Sequence, residues 1–206
     1  MFQELSPKAR QAAARAFQPL RVRRGSALYR EGDGADGLYL VREGLVWLER
    51  SAGAEPATLG VVGPGGLLGE EVLVGERGRT SGATALTYAE LLFAPKEGLL
   101  ALLEGFPEAQ GFFLKALYAR LKAAERRLWE MRHLPVAQRL ARLLLELRGA
   151  GEVGLSHQDL ARMVGATRET VTKLLGDWAL QGVVDLGYRR VEVRDPKALV
   201  RLGEAL

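Results

Sequence analysis

Between residues 155 and 178, LSHQDLARMVGATRETVTKLLGDW, three positions leave the backbone very few paths. Ala161 is small enough for two helices to cross closely, Gly165 can take the positive φ of a three-residue turn, and Val171 fills the angle between the helices. The helix ends are also written locally. Ser156 followed three residues later by Asp159 is a capping signature, so a helix is expected from His157 with Leu160 and Val164 on its buried face. Thr167 is an N-cap for a second helix that turns Val171, Leu174, Leu175 and Trp178 inward and leaves Arg168, Glu169, Thr172 and Lys173 outside. The spacing predicts a helix-turn-helix. A plain helical hairpin with a solvated Arg-Glu couple would satisfy the amphipathic pattern, but not the full set of fixed positions.

The outward residues carry chemistry suited to double-stranded DNA. Arg168 can donate two hydrogen bonds to guanine O6 and N7, Glu169 can accept from cytosine N4, and Lys173 can reach another guanine or a phosphate. Ser156, Gln158, Thr167 and Thr170 are polar groups near helix starts, where phosphate oxygens would sit against exposed N–H groups. Further on, residues 182–193, GVVDLGYRRVEV, read as a β-hairpin wing whose Arg189 and Arg190 can meet the sugar-phosphate backbone. Residues 196–206 read as a closing helix.

Composition matters for what it excludes. With no cysteine, disulfides, thiolate zinc sites, cysteine-ligated clusters and cysteine nucleophiles are all removed. His133 and His157 are the two histidines and stand in different segments, so no two-His metal site is expected. No apolar run of about 20 residues offers a membrane span, and the N-terminus carries charges where a signal peptide needs an apolar core. A cytoplasmic protein without membrane association is expected. The net charge of +4, its basic excess in the C-terminal half, fits a nucleic-acid partner. No nucleophile–base pair or Walker-type loop is present, so the chain is not expected to be an enzyme.

Residues 3–17 read as a short helix with Leu5, Ala9, Ala12, Ala13 and Phe17 as its packing stripe. From 18 to 94, short alternating runs are broken by GDGADG, SAGAEP and GPGG, the signature of a β-sandwich or barrel. After Pro107, Leu114, Leu117, Leu121, Ala124, Leu128 and Met131 recur at three- and four-residue spacing, a heptad seam that predicts a parallel homodimer. A helix packed only on its own domain is the alternative. His133-Leu134-Pro135 breaks that helix and forms a hinge. Val136, Leu140, Leu143, Leu144 and Leu147 mark the next helix, and Gly149-Ala150-Gly151 leads into the helix-turn-helix. The expected domains are 1–106, 107–134 and 135–206.

The stretch 25–46, GSALYREGDGADGLYLVREGLV, resembles the β-roll of the cyclic-nucleotide-binding fold, and 69–85, GEEVLVGERGRTSGATA, resembles its phosphate-binding cassette. In that cassette a helix N-terminus at Gly69 and Glu70 offers N–H groups, Glu70 accepts from a ribose 2′-OH, Arg79 pairs with a cyclic phosphate and Thr80 adds a hydroxyl. The alternative is that Arg79 pairs with Glu70 or Glu71 inside an empty roll.

Roll, cassette, long helix, hinge and winged helix-turn-helix, in that order over roughly residues 15 to 195, resemble the CRP/FNR family of bacterial transcription regulators. The fold implied is α+β. The function implied is a homodimeric DNA-binding regulator, an activator working with RNA polymerase, whose recognition helices enter successive major grooves of a palindrome. Arg168, Glu169 and Lys173 match the family's base-reading positions; Arg, Glu and Arg there read a GTGA-like half-site, and Lys173 lacks the last fork.

Two departures concern the effector. The Glu70–Arg79 loop is one residue shorter than in the cyclic-AMP-responsive archetype, and Ala124 and Glu125 stand where that archetype sets Thr and Ser against adenine. No cofactor is therefore expected to be required, although the roll remains a place for a cyclic nucleotide or another small effector. A cyclic-AMP-dependent regulator, or a nucleotide-sensing module acting through a protein partner, are the alternatives. The Arg148–Gly154 segment is also short where the archetype carries a loop that touches RNA polymerase.

Overall fold

The computed structural model describes residues 2–51, 57–148 and 151–204. The chain divides into two compact units, residues 1–124 and 125–206.

The first unit opens with α1 (Pro7–Ala16), which starts later than the apolar stripe because Ser6 and Pro7 fix its end. The Ser6 hydroxyl accepts from the Ala9 N–H, and proline at the first helical position has no N–H to leave unpaired. Among the described residues eight strands follow: β1 (Gln18–Val22), β2 (Ala27–Tyr29), β3 (Gly37–Glu43), β4 (Val46–Arg50), β5 (Ala57–Val62), β6 (Leu67–Leu68), β7 (Gly82–Ala85) and β8 (Ala89–Pro95). They form two antiparallel four-stranded sheets, ordered β1-β8-β3-β6 and β2-β7-β4-β5. The turn expected over SAGAEP lies, apart from Ser51, outside the described residues.

β3 sits against two cores at once, which explains why its first five residues are all buried. By the two-residue period of a strand, Leu38 and Leu40 face α1 and its neighbours while Tyr39 and Val41 face the roll interior with Val46, Leu48, Ala83 and Leu91. The helix-side core adds Leu5, Ala9, Ala13 and Phe17, Leu99 and Leu102 of α2 (Lys96–Gly105), and Ala109 and Phe113 of α3 (Pro107–His133). Large side chains fill both cores, so truncating one such as Leu40 costs about 2–5 kcal/mol.

α3 runs unbroken to His133. Pro135, at φ −56° and ψ 155°, is the extended N-cap of α4 (Val136–Leu147); its ring fixes φ and disfavours helical geometry in Leu134, just past the end of α3. The second unit continues with β9 (Glu152–Val153), α5 (His157–Val164), α6 (Arg168–Leu180), β10 (Val184–Gly187), β11 (Arg190–Val193) and α7 (Pro196–Glu204). Its three strands form one antiparallel sheet ordered β10-β11-β9. Leu140, Leu144, Leu155, Leu160, Leu175 and Leu199 are fully buried and form the interior of this unit. Of the expected Gly149-Ala150-Gly151 connection, only Gly151 is among the described residues. No helix among the described residues is long and apolar enough to cross a membrane.

Candidate nucleic-acid interface and effector pocket

The helix-turn-helix forms from the local signals that predict it. Ser156 and Asp159 make a reciprocal capping box: the Asp159 N–H donates to the Ser156 Oγ (3.1 Å), and the Ser156 N–H donates back to the Asp159 carboxylate (3.0 Å). α5 ends at Gly165, whose φ of +64° is the left-handed conformation that costs a side-chain-bearing residue about 1–2 kcal/mol. Ala161 and Val171 are fully buried at the crossing, and Thr167 caps α6 by accepting from the Thr170 N–H (3.2 Å). Leu174 is half-buried, Val171, Leu175 and Trp178 are buried, and Arg168, Glu169, Thr170, Thr172 and Lys173 are exposed.

The electrostatics at the start of α6 keep its acidic side chain ionised. The helix N–H at Glu169 and the Thr167 hydroxyl hold the Glu169 carboxyl below its ordinary pKa, so it stays an acceptor. His157 has its pKa pushed down by burial and then by the Arg168 cation, and its Nδ1 lies 3.0 Å from the Thr172 Oγ1. That contact joins the start of α5 to the outer face of α6, and sequence reasoning had not assigned it.

The polar backbone candidates divide. Ser156, Thr167 and Thr170 are held in the caps just described, while Gln158 is exposed on the first turn of α5. In the wing, Gly187 pairs with Arg190, leaving Tyr188 and Arg189 as the tip. Arg189 takes φ +54° and pairs with Asp159 at 3.6 Å, which ties the tip to the capping box. Arg190 instead lies within 3.8 Å of Glu152, Asp185 and Glu192 on its own sheet. Its charge is balanced there.

Arg139, which the sequence reading did not single out, holds the reading unit from beneath. Its guanidinium donates to the carbonyls of Val164 (2.9 Å), Leu134 (2.8 Å), Met131 (3.2 Å) and Gly165 (3.4 Å). These carbonyls belong to the last turns of α3 and α5 and the residues just beyond. A single arginine on a helical period gives no hint of such reach.

On α3 the exposed large apolar residues are Leu114, Tyr118, Leu121, Leu128, Trp129 and Met131, all at least half accessible. Leu117 turns half-buried toward the core of the first unit, and Tyr118 takes the outward place beside it. The stripe is thus rotated by one residue at that turn. Ala124 and Glu125 are exposed.

In the roll, Gly69, Glu70, Arg79 and Thr80 do come together, and each is engaged by the protein itself. Gly69 has φ +78°, and a Cβ there would stand 2.2 Å from Arg79 Nη1, so only glycine admits the guanidinium. Glu70 and Glu71 begin a short 3₁₀ helix (Glu70–Val74). Glu70 forms an ion pair with Arg120 of α3, and Arg120 also donates to Leu67 O (3.4 Å). The Arg79 side chain has no solvent exposure; its Nη2 donates to Asp36 (2.6 Å) and Gly37 O (2.7 Å), its Nη1 to Glu71 (3.5 Å), and its plane lies over Tyr29 at 4.4 Å.

Thr80 gives both its N–H (3.0 Å) and its hydroxyl (2.8 Å) to Glu71. Burial would raise the Glu71 pKa, but the Thr80 donors and Arg79 outweigh it and hold the carboxyl below its ordinary range. Arg79 Nε, buried, has no hydrogen-bond partner among the described residues. Of the expected alternatives for an ion pair, Glu71 is used and Glu70 is not; the shortest partner, Asp36, was not among them. A pairing across 43 residues leaves no local trace in sequence. As arranged, these residues do not fit a cyclic phosphate, since two carboxylates already surround the one buried guanidinium.

A β-roll built around a buried arginine and followed in the chain by a winged helix-turn-helix defines a regulator with a sensory-type domain and a DNA-reading domain. Comparison with known proteins agrees. A family model for the cyclic nucleotide-binding domain matches residues 19–106, and one for the Crp-like helix-turn-helix domain matches residues 138–202. The cyclic AMP receptor protein of Thermus thermophilus is 34% identical over 210 residues, covering 100% of this chain and 97% of that protein. The CRP-like cAMP-activated global transcriptional regulator of Mycobacterium tuberculosis is 31% identical, covering 98% of this chain and 95% of that one. Among solved structures, a CRP/FNR-family transcriptional regulator of Thermus thermophilus superimposes with a TM-score of 0.77 at 32% identity, over 91% of this chain and 99% of that one. The chain belongs to the CRP/FNR family of transcription regulators.

Proposed function

We propose that this protein is a homodimeric, cytoplasmic, sequence-specific transcription activator that works with RNA polymerase at palindromic GTGA-like half-sites and is competent without cyclic AMP. The observation that carries the reading is the exposed first turns of α6. Arg168, Glu169 and Lys173 stand there together on a helix capped by Thr167. An Arg-Glu pair so placed matches the donor and acceptor pattern of a G·C-containing half-site in the major groove. Dimerisation through the exposed stripe Leu114, Tyr118, Leu121 and Leu128 would bury apolar surface and provide two reading helices for two half-sites. Competence without nucleotide is supported by Arg79 and Glu70 having protein partners already.

The experiment is operator binding by fluorescence anisotropy, with nucleotide-free protein, a palindrome of GTGA-like half-sites and a scrambled control, at fixed salt. Tight specific binding without cyclic AMP is expected. Arg168→Ala should weaken it by about 10- to 100-fold, the loss of about 1–3 kcal/mol per base contact, while leaving binding to the scrambled duplex nearly unchanged. Equal affinity for both duplexes would overturn the reading. A second reading, a cyclic-AMP-dependent switch, draws on the presence of Gly69, Glu70, Arg79 and Thr80 in the cassette, and binding seen only after cyclic AMP is added would favour it.

A further inference from the structure

We propose that Asp36 is a tethered anion that stands in for the effector's phosphate at Arg79, so that the roll is closed to cyclic nucleotides by its own chain. The inference rests on the nucleotide-independent reading above and gives it a cause.

The geometry leaves little freedom. Asp36 reaches Arg79 Nη2 at 2.6 Å, and Gly37 O takes the same nitrogen at 2.7 Å, so both Nη2 hydrogens are engaged. Glu71 lies against Nη1. The carboxylate is also held in place by its backbone. The Gly32 N–H donates to Arg79 O (2.9 Å), the Ala35 N–H to Arg77 O (2.9 Å), and the Arg79 N–H to Asp33 O (2.8 Å), lacing the 32–36 loop to the 77–79 loop. The Lys96 N–H donates to Asp36 O (2.8 Å) on the other side. Ordering Asp36 therefore costs little when it meets Arg79.

Charge decides the outcome. Arg79 is one cation beside two carboxylates, Asp36 and Glu71, and the nearby Glu70 is neutralised by Arg120. A singly charged phosphodiester arriving here would meet a net negative site, and could gain the guanidinium only by displacing Asp36. Asp36 is the carboxylate to displace, because its side chain is 66% exposed whereas that of Glu71 is 6% exposed and bonded to Thr80. With the Asp36 charge gone, Nη2 would be released, and among the described residues Nε has no partner and Nη1 has only the 3.5 Å contact to Glu71.

The test uses the full-length protein and calorimetric titration with 3′,5′-cyclic AMP, with adenosine as an uncharged probe of the same base and sugar. Asp36→Asn keeps the shape and a carbonyl acceptor for Arg79 while removing the charge. It should bind cyclic AMP about tenfold or more tightly than the wild type, the scale on which one adjacent like charge acts, with adenosine binding unchanged. Adding Arg79→Gln should abolish the gain. Equal cyclic-AMP affinity in wild type and D36N, or an equal gain for adenosine, would overturn the proposal. The two readings fail separately. Wild type that binds operator without nucleotide while D36N gains nothing sinks Asp36 alone, whereas wild type silent on operator while D36N gains affinity sinks only nucleotide independence.

Discussion

Replacing Arg139 by methionine keeps the aliphatic stem and removes every donor from beneath the reading unit. The three shorter bonds, to Leu134, Val164 and Met131, run from a cation to carbonyls at helix ends. A buried charged hydrogen bond contributes about 1.5–3 kcal/mol, and these are partly exposed, so about 1 kcal/mol each is a fair weight. The 3.4 Å bond to Gly165 adds little. The sum, about 3 kcal/mol, is a large part of the 5–15 kcal/mol typical of a folded domain. Urea unfolding followed by tryptophan fluorescence suits the measurement, since Trp178 is buried in this unit. At a slope of about 1–2 kcal/mol/M the midpoint should fall by roughly 1.5–3 M. Arg139→Lys should recover only part of this, because an ammonium cannot span four carbonyls as a planar fork does. A methionine variant within 0.5 kcal/mol (about the error of such fits) of wild type, or a lysine variant as stable as arginine, would refute the reasoning.

Two further predictions concern the roll. Gly69→Ala places a Cβ at φ +78° and 2.2 Å from Arg79 Nη1, so both the backbone strain and the expulsion of the guanidinium count against it. A loss of about 3 kcal/mol or more is expected in thermal or chemical unfolding, and a melting temperature unchanged from wild type would show that the Arg79 network contributes nothing to stability. The Glu71 carboxyl, held below its ordinary value of 4.5, contributes stability that is fully present above that value and is lost as pH falls through its lower folded-state pKa. Unfolding free energy measured from pH 6 down to pH 3 should therefore decline less steeply in Glu71→Gln than in wild type; parallel curves would exclude Glu71 as a source of the acid sensitivity.

The reading unit was almost fully legible in sequence because its geometry is set within a few residues. Ser156 with Asp159, Gly165, and Thr167 with Thr170 each act over three or four positions, and each occupies the conformation its type predicts. The two sheets were legible only as a class, since glycine spacing marks where strands reverse but not which strands pair. The cassette was legible as a list of residues and not as a set of bonds. Asp36 with Arg79, Glu70 with Arg120, and Arg139 with Val164 are joined across 43, 50 and 25 residues, and long charged side chains choose among several partners by tertiary placement. The heptad pattern likewise named Leu117, half-buried in its own core, where Tyr118 lies outward, because at the ends of a packed helix the same period serves two surfaces.

β3 is a wall shared by two rooms. Leu38 and Leu40 furnish the one that holds α1 and the start of α3, Tyr39 and Val41 furnish the roll, and Gly37 at its head accepts from Arg79. A slip of one residue would exchange the contents of both rooms, so the wall is pinned in register from either side. Only a single strand's thickness separates the packing of α3 from the tyrosine that lies near the buried guanidinium. A change in how Phe113 and Leu102 fit on one side therefore has no slack layer in which to dissipate before it reaches Tyr39 and Arg79 on the other.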